Sequence, residues 1–336
     1  MTFTSQNTAM PTEIPSSSFS LLPQWGLIFV EGPEAAGFLQ NQLTNSVLGL
    51  RRAFPPDIAQ STLSARLVGY CSPKGRLLAS AWLSLAPTGD TAEDRFALFI
   101  SKDIAATTAK RLAMYVLRSK VKVTDVSNEW NLMGYVANTS SPEVTINVLT
   151  DGQIGIELPA VIHQTETYQR ILIAQNASDF SIETNIPVLN VWNDLEVLSG
   201  VPRIVQATQE QFVPQMVNFE SVGGVDFKKG CYPGQEVVAR SQYRGAIKRR
   251  LCLAHTASNG VEPRLYQPGT EIFHTADPKQ PAGMVVLSSP SSFEVNRIDL
   301  QIECKLEALE IGEIRLGSMQ GPVLKLNSLL YPFIEI

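Results

Sequence analysis

The surroundings of one cysteine have the composition that thiol chemistry needs. Cys231 follows Lys228 and Lys229 and precedes a Pro-Gly pair, which marks a tight turn. A short helix is predicted over 235–240, so the thiol would lie just before a helix N-terminus. Neighbouring cations and a helix N-terminus both favour the thiolate, the form of cysteine that acts as nucleophile and metal ligand. We therefore expect a reactive or ligand-binding thiol, and not a buried core residue, which is the commonest fate of a free cysteine.

The charge around this cysteine is one-sided. Residues 228–250 contain seven basic residues and one acid, Glu236, in a chain whose net charge is -5. Glu236 and Arg240 stand one helical turn apart, so they are spaced to form an ion pair. A solvated face usually mixes both signs, so the excess predicts an anionic partner: a phosphate, a polycarboxylate tail or RNA. The basic residues are Lys228, Lys229, Arg240, Arg244, Lys248, Arg249 and Arg250.

The other cysteines and the histidines do not indicate disulfides or a metal centre. Cys71, Cys252 and Cys304 lie in strand-like apolar runs, no two cysteines form a CxxC pair, and the three histidines show no ligand spacing. A reducing cytoplasm is therefore the expected location, and no zinc site is expected. An iron–sulfur cluster usually takes about four cysteine ligands, so stable cluster carriage by this chain is disfavoured.

Hydropathy and composition exclude further classes of protein. Residues 1–20 are rich in Ser, Thr and Pro, contain no Lys or Arg, and are predicted to be a disordered tail and not a secretory signal. No apolar run approaches the roughly 18 residues that span a bilayer, so no membrane partner is expected. With 44% hydrophobic and 18% charged residues, the composition is that of a globular protein of two or three domains.

The apolar pattern predicts an α+β protein without regular βαβ alternation. Helices are predicted over 104–118 and 189–198, a hairpin turn over 72–75, and strand-like pieces near 144–149 and 154–158. After Gly245 the sequence changes to short β-like runs separated by Pro, Gly, Ser and Asn, which predicts a small β-barrel.

The run from Lys229 to Arg240, Lys-Gly-Cys-Tyr-x-Gly-Gln-Glu-x-x-x-Arg, resembles the signature of the YgfZ family. These are folate-binding proteins linked to iron–sulfur cluster maintenance and, through iron–sulfur enzymes, to tRNA modification. They are relatives of the glycine-cleavage T-protein, a tetrahydrofolate-dependent aminomethyltransferase. Further segments agree in the same order along residues 21–250: around Trp25, over 70–76, around Trp192 and over 212–218.

The resemblance implies a fold of three modules in a cloverleaf arrangement around a central folate channel. Two α+β modules would occupy residues 21–245 and a C-terminal β-barrel domain residues 246–336. The expected cofactor is tetrahydrofolate or a derivative.

The resemblance also implies which residues hold the folate. The family's tryptophans at the positions of Trp25 and Trp192 are implicated in folate contact, since a flat pterin ring stacks on an aromatic face; pattern alone would predict packing for both. Lys228 and Arg244 suit the carboxylates of the glutamate tail. Tyr232 and Gln235 complete the expected cofactor-binding set.

The expected catalytic group is Cys231 with Lys229 and Arg240. One residue that the T-protein reaction needs has no counterpart in this chain. T-proteins carry a catalytic aspartate just after the Gly-Gly turn of a hairpin that corresponds to the one around Gly75. Here residues 76–80 are Arg-Leu-Leu-Ala-Ser and contain no carboxylate. Without that positioned acid/base group, plain aminomethyl transfer is not expected, and whether the chain is an enzyme stays open.

Three functions are compatible with these observations. The first is a folate-binding accessory protein for iron–sulfur cluster assembly or repair, with assembly factors or client iron–sulfur enzymes as partners and Cys231 as its working group. The second is a folate-dependent one-carbon enzyme that acts on protein or tRNA. The third is a non-catalytic module that docks tRNA or a protein through the basic stretch 228–250.

Overall fold

The computed structural model describes residues 17–86, 94–140, 148–178 and 183–334. The strand-like piece predicted near 144–149 lies mostly outside these ranges. The elements of the first part are β1 (Ser17–Leu21), β2 (Trp25–Glu31), α1 (Ala35–Gln40), β3 (Ala65–Cys71), β4 (Leu77–Ala86), β5 (Arg95–Ser101), α2 (Lys102–Ala113), β6 (Lys122–Asp125) and β7 (Trp130–Asn138). Those that follow are β8 (Ile154–His163), β9 (Glu166–Asn176), α3 (Ile186–Leu198), α4 (Gln235–Tyr243), β10 (Arg249–Ala257), β11 (Glu271–His274), β12 (Asp277–Pro290), β13 (Arg297–Lys305), β14 (Ile314–Leu316) and β15 (Val323–Asn327).

The first module is a five-stranded antiparallel sheet in the order β3-β4-β5-β2-β6, with α2 packed on it. Every residue of β4 is buried, so this strand shows none of the alternation typical of a sheet with one solvated face. The Oγ of Ser80 accepts a hydrogen bond from the backbone N–H of Ile204 at 2.9 Å, whereas the Oγ of Ser84 is buried without a partner among the described residues. Both faces of this strand are therefore covered by other parts of the chain.

Helix α2 ends earlier than the sequence predicts. The prediction extended to residue 118, but the helix ends at Ala113. The next backbone N–H groups bond to the carbonyl three residues back, from Tyr115 to Leu112 and from Val116 to Ala113, which tightens the last turn. Leu117 then adopts a positive φ of 47° and stops the helix.

The second module is a four-stranded sheet in the order β1-β7-β9-β8, covered by α3. Its first strand corrects the predicted tail of residues 1–20, because Ser17–Leu21 pairs with β7 from Ala137 to Met133. The rings of Phe19 and Tyr135 meet at 4.8 Å across this pair. Cross-strand aromatic contacts of this kind stabilise a sheet edge, so the chain is held from residue 17 onward.

Helix α3 packs between the second sheet and the C-terminal barrel. The side chain of Asn185 caps it by accepting a hydrogen bond from the N–H of Val188, and a proline follows in the first turn. Trp192 is fully buried on this helix and lies over Gly134 of β7. A Cβ at Gly134 would be 2.4 Å from the indole, so only glycine leaves room for the ring.

The third module is a closed six-stranded barrel in the order β10-β13-β12-β11-β14-β15 with a core of its own. Strand β14 was not predicted, because three residues carry too short a pattern to detect. After the barrel the chain returns to the centre, where the hydroxyl of Tyr331 donates to the carbonyl of Gly200 at 2.8 Å. The α+β fold with a C-terminal barrel is as the sequence predicts. Among the described residues, no helix is long and apolar enough to cross a membrane.

Candidate functional site

Cys231 is solvent-exposed on the loop that leads into α4. Gly234 begins this helix with a left-handed φ of 80°, and it lies directly against the turn of the β3–β4 hairpin. A Cβ on Gly234 would be 2.4 Å from the carbonyl oxygen of Ser72. The Pro-Gly turn predicted from the sequence is therefore a docking contact, and it presents the thiol to solvent at the hairpin tip.

Lys229 holds this loop to the first module. Its Nζ donates hydrogen bonds to the backbone carbonyls of Gln40 and Leu43, the latter at 2.6 Å, and lies 4.9 Å from the ring centre of Tyr232. Burial lowers the pKa of Lys229 to about 8, against the opposing effects of Asp226 and Cys231. The lysine predicted to be catalytic thus has its donors directed at backbone oxygens.

Tyr232 and Gln235 support the same loop from within. Tyr232 is buried, and burial raises the pKa of its phenol. The backbone N–H of Gln235 donates to the carbonyl of Tyr232 at 3.2 Å, which closes the turn before α4. Both residues were predicted to bind the cofactor, and this stays a prediction. Their described contacts stabilise the loop that carries the cysteine.

The basic stretch is less one-sided in the structure than in the sequence. Arg249 bonds to Glu303 and to the carbonyl of Ala282, and Arg250 is a buried partner of Glu220. Arg240 pairs with Glu236 at 2.7 Å, as predicted, although both side chains are so exposed that the pair contributes little to stability. In the described part of the chain, the basic residues of the stretch that are exposed and without an ion pair are Lys228, Arg244 and Lys248.

The two tryptophans predicted to bind folate lie in different surroundings. Trp25 is 4% exposed, its indole N–H has no partner within the described residues, and the guanidinium of Arg203 lies 5.1 Å above its ring. It lines an internal cavity of about 20 Å³, room for one water molecule. Trp192 is fully buried against Gly134 and does not line this cavity. The two indoles therefore do not line one described cavity, and folate contact by either of them stays a prediction.

A cleft of about 920 Å³ opens beside the small cavity, where the three modules meet. Its size is within the range of ligand pockets in proteins. The first module, α3 and the barrel all contribute to its walls, and Glu196 and Arg203 line both the cleft and the cavity. The other lining residues include Gln24, Lys102, Leu189, Asn193, Val197, Gln267 and Leu287.

An ion pair separates the cleft from the cavity. Arg203 donates from Nε to Oε1 of Glu196 at 2.6 Å and from Nη2 to Oε2 at 3.2 Å, while Nη1 reaches the Oγ of Ser101 at 3.0 Å. The two-point geometry fixes the guanidinium plane above the Trp25 ring. Sequence reasoning missed both charged residues, although Arg203 lies between the segments around Trp192 and over 212–218 that carried part of the resemblance.

Comparisons with known proteins decide the family. No family model matches the chain. The chain is 30% identical over 261 residues to the tRNA-modifying protein YgfZ of Hamiltonella defensa, across 74% of this chain and 72% of that protein. It is also 30% identical over 287 residues to the YgfZ protein of Cronobacter sakazakii, across 79% and 80% of the two chains. The chain belongs to the YgfZ family. The resemblance carried by the cysteine motif is thereby confirmed.

A solved structure shows the same fold as this YgfZ-family chain. The glycine cleavage system aminomethyltransferase T of Bartonella henselae aligns with a TM-score of 0.56 over 95% of this chain and 86% of that one. The two sequences are 16% identical, so the likeness concerns the fold alone. The predicted T-protein-like architecture is confirmed by it.

In this YgfZ-family protein the cysteine loop and the small cavity lie at different points along the β3–β4 hairpin. The middle of the β3–β4 hairpin, including Ser80 and Ala81, lines the small cavity, while the tip contacts Gly234. The strand between Gly75 and Ser80 spans about 16 Å at roughly 3.3 Å per residue. No described cavity or cleft includes both Cys231 and Trp25. Within the described ranges, no three His, Cys, Asp or Glu side chains are placed to hold a metal ion.

Proposed function

We propose that this YgfZ-family protein binds tetrahydrofolate or a derivative in the central cleft and supports iron–sulfur cluster assembly or repair through the Cys231 thiol. The iron–sulfur enzymes that it serves would include tRNA-modifying ones, in keeping with the names of its relatives. The observation that carries the proposal is the cleft between the three modules, with a planar Arg203–Glu196 pair in its wall.

The lining of the cleft fits a folate. A pterin carries hydrogen-bonding groups on a flat ring, and a guanidinium–carboxylate pair offers both donors and acceptors in one plane. Leu189, Val197 and Leu287 supply apolar surface, and Lys102 supplies a cation for a carboxylate of the glutamate tail. When bound, the folate supplies a carrier for one-carbon units. Trp25 is buried beneath the Arg203 guanidinium, so it contributes to folate binding indirectly, by supporting that guanidinium.

Two separate sites then carry the proposed function, the cleft for folate binding and the Cys231 loop for reaction with a partner. Arg203 and Glu196 orient the ring, and Ser101 holds the guanidinium in place. Cys231, exposed on its loop, serves as a transient ligand or nucleophile for a partner that approaches from solvent. The exposed cations Lys228 and Arg244 lie on the same loop and helix end, so we assign them to partner contact at the thiol and not to the folate tail.

Folate-dependent one-carbon transfer by the protein itself is the weaker alternative. The residue after Gly75 is Arg76, whose Nη1 donates to the backbone carbonyls of Gln211 and Glu210 at 2.5 and 3.2 Å. Residues 76–80 contain no carboxylate, so the acid/base group that the resemblance implies for the parent reaction is missing from this segment.

Calorimetric titration with tetrahydrofolate tests the proposal. Arg203→Lys keeps the charge but loses the planar fork, so we expect at least about a tenfold loss of affinity, as for a charge-assisted hydrogen bond. Trp25→Ala should weaken binding less, through lost support of Arg203. Trp130→Phe is the control, since this ring packs at 5.2 Å on Phe29 and does not line the cleft. Unaltered affinity in both Arg203→Lys and Trp25→Ala would remove the proposed pocket.

A second measurement tests the thiol. Cys231→Ser should bind tetrahydrofolate like the parent, because the cysteine does not line the cleft. It should fail to restore the activity of an iron–sulfur tRNA-modifying enzyme in cells that lack the parent protein. Full restoration by Cys231→Ser would refute the role of the thiol while leaving the folate site intact.

A further inference from the structure

The end of α2 and the strand after it carry a second one-sided run of basic residues. Residues 110–122 contain five basic side chains and no acid. They are Lys110, Arg111, Arg118, Lys120 and Lys122. Lys110, Arg118 and Lys120 are exposed and have no ion pair in the described part of the chain, whereas Lys122 is 3.5 Å from Glu31. Unlike the stretch 228–250, this segment keeps most of its positive charge free for an external partner.

Apolar side chains stand between these cations. Met114 is 63% exposed and Leu117 is 88% exposed, and Tyr115 lies between them with 43% of its surface exposed. They form the turn at which α2 ends, where Leu117 has a left-handed backbone. Neighbouring exposed apolar groups within a charged rim are typical of a contact surface.

A polar cleft of about 520 Å³ runs between this turn and α1. Tyr115 forms part of one wall and Asn41, Gln42 and Ser119 add hydrogen-bonding groups. The Oε1 atom of Gln42 is buried and has no hydrogen-bond partner within the described residues. A buried acceptor without a donor is uncommon in proteins, so this amide oxygen is left without an internal donor at the cleft.

Glu34 also lines the cleft. One of its carboxylate oxygens accepts a hydrogen bond from the backbone N–H of Lys120 at 2.7 Å. The carboxylate and the Gln42 oxygen are acceptors for the amino groups of nucleobases, and Tyr115 offers a face on which a base can stack.

We propose that the cleft between α1 and residues 114–120 binds an unpaired nucleotide of single-stranded RNA. The base enters the cleft beside Tyr115 and Gln42, and the flanking phosphates lie against Lys110, Arg118 and Lys120. A lipid surface would engage the cations and Leu117 but would leave the polar cleft unfilled. An acidic peptide would engage the cations without using the aromatic face.

This site goes beyond the proposed function and needs neither folate nor the thiol. It lies close to the cysteine loop, however, because Lys229 bonds to the carbonyls of Gln40 and Leu43 at the end of α1. The proposed RNA site is therefore next to residues that hold the loop of Cys231 in place.

Fluorescence anisotropy with a short, labelled single-stranded oligoribonucleotide tests the proposal over a series of salt concentrations. Arg118→Gln combined with Lys120→Gln removes two phosphate contacts, so the slope of log affinity against log salt should become shallower by about 1.4. Tyr115→Ala should weaken binding by about 5-fold to 150-fold through lost stacking, and Tyr115→Phe should restore it. The matched control is Lys279→Gln with Lys325→Gln, which makes the same charge change at exposed barrel positions and should leave the affinity unchanged.

Three results would overturn the proposal. One is an equal loss in the barrel control, which would show that net charge alone governs binding. Another is duplex RNA binding as tightly as single-stranded RNA with no effect of Tyr115→Ala. The third is loss of binding to vesicles of phosphatidylserine and phosphatidylcholine in the Arg118 and Lys120 variant while its RNA affinity is unchanged. All substituted side chains are exposed, and unaltered tetrahydrofolate binding in each variant separates this test from that of the folate cleft.

Discussion

Gly75 and Gly234 meet backbone against backbone, 159 positions apart in the sequence. A Cβ on Gly234 would lie 2.6 Å from the Cα of Gly75, and both residues have a positive φ, of 80° and 71° respectively. The contact joins the β3–β4 hairpin tip to the start of α4 and so fixes the loop that presents Cys231. The close contact between these two glycines thus positions the Cys231 loop, although neither glycine bonds to the thiol in any described hydrogen bond.

Gly234→Ala should destabilise the protein more than the backbone conformation alone explains. A left-handed alanine costs about 1–2 kcal/mol, and here its methyl group also meets the Ser72 carbonyl. Gly49→Ala is the matched control: its φ is 73°, but a Cβ there meets nothing within 4 Å. Urea unfolding should give a larger loss for Gly234→Ala than for Gly49→Ala. Equal losses would show that the contact with the hairpin is not tight.

The local part of this arrangement could be predicted from the sequence. The turn at 233–234, the pairing of Glu236 with Arg240 and the hairpin at 72–75 depend on neighbouring residues and on short-range rules. Strand β1 was missed because its partner β7 lies more than a hundred residues away, and tertiary pairing outweighs the Ser-rich composition of the segment.

The candidate site was only partly predictable, because the sequence does not show which residues pair with a charged side chain or pack against an aromatic one. Arg249 and Arg250 looked like free cations in the sequence, yet they find Glu303 and Glu220 in other parts of the chain. Trp25 and Trp192 carry the same side chain and both are buried, yet only Trp25 lines the small cavity beside the cleft, which the local sequence does not show. Long-range pairs of this kind are a property of the fold and not of the local sequence.

One thiol of the native protein should react quickly with an aromatic disulfide reagent, and all four should react after unfolding. Cys231 is exposed, whereas burial raises the pKa of Cys71 and Cys304 to about 12 and that of Cys252 to about 11. Cys231→Ser should abolish the fast reaction. A fast phase that persists in this variant would mean that another cysteine becomes accessible in the native state.

The same three buried thiols make the protein less stable in alkali. In the unfolded chain they ionise near their ordinary pKa of 9.0, while in the folded chain they stay protonated to higher pH. The unfolded state therefore binds fewer protons above about pH 9, and the free energy of unfolding falls as the pH rises further.

A buried acid at the junction of α3 and the barrel predicts a second pH effect. Oδ2 of Asp194 accepts hydrogen bonds from the backbone N–H of Ser292 at 2.6 Å and the hydroxyl of Ser291 at 3.1 Å. Its Oδ1 and the Oδ2 of Asp299 are both buried without a partner among the described residues. Burial, followed by the negative charge of Asp299, raises the pKa of Asp194. The folded protein thus keeps a proton on this carboxyl group at a pH where the unfolded chain has lost it.

Asp194→Asn should therefore flatten the dependence of stability on pH. In the parent the folded state binds the extra proton, so the free energy of unfolding falls by about 1.4 kcal/mol per pH unit between the ordinary aspartate pKa and the raised pKa of the folded state. The amide keeps the shape of the neutral acid and can still accept a hydrogen bond from the N–H of Ser292. The variant should therefore lose this decrease in the free energy of unfolding and be more stable than the parent at mildly alkaline pH.

Urea unfolding at several pH values measures the effect, and His163→Gln serves as the control. This imidazole lies near Asp299, and burial lowers its pKa, so it titrates below the alkaline range. A parent-like pH slope in Asp194→Asn, with a flattened slope in His163→Gln, would assign the proton to the histidine and contradict the raised pKa of Asp194.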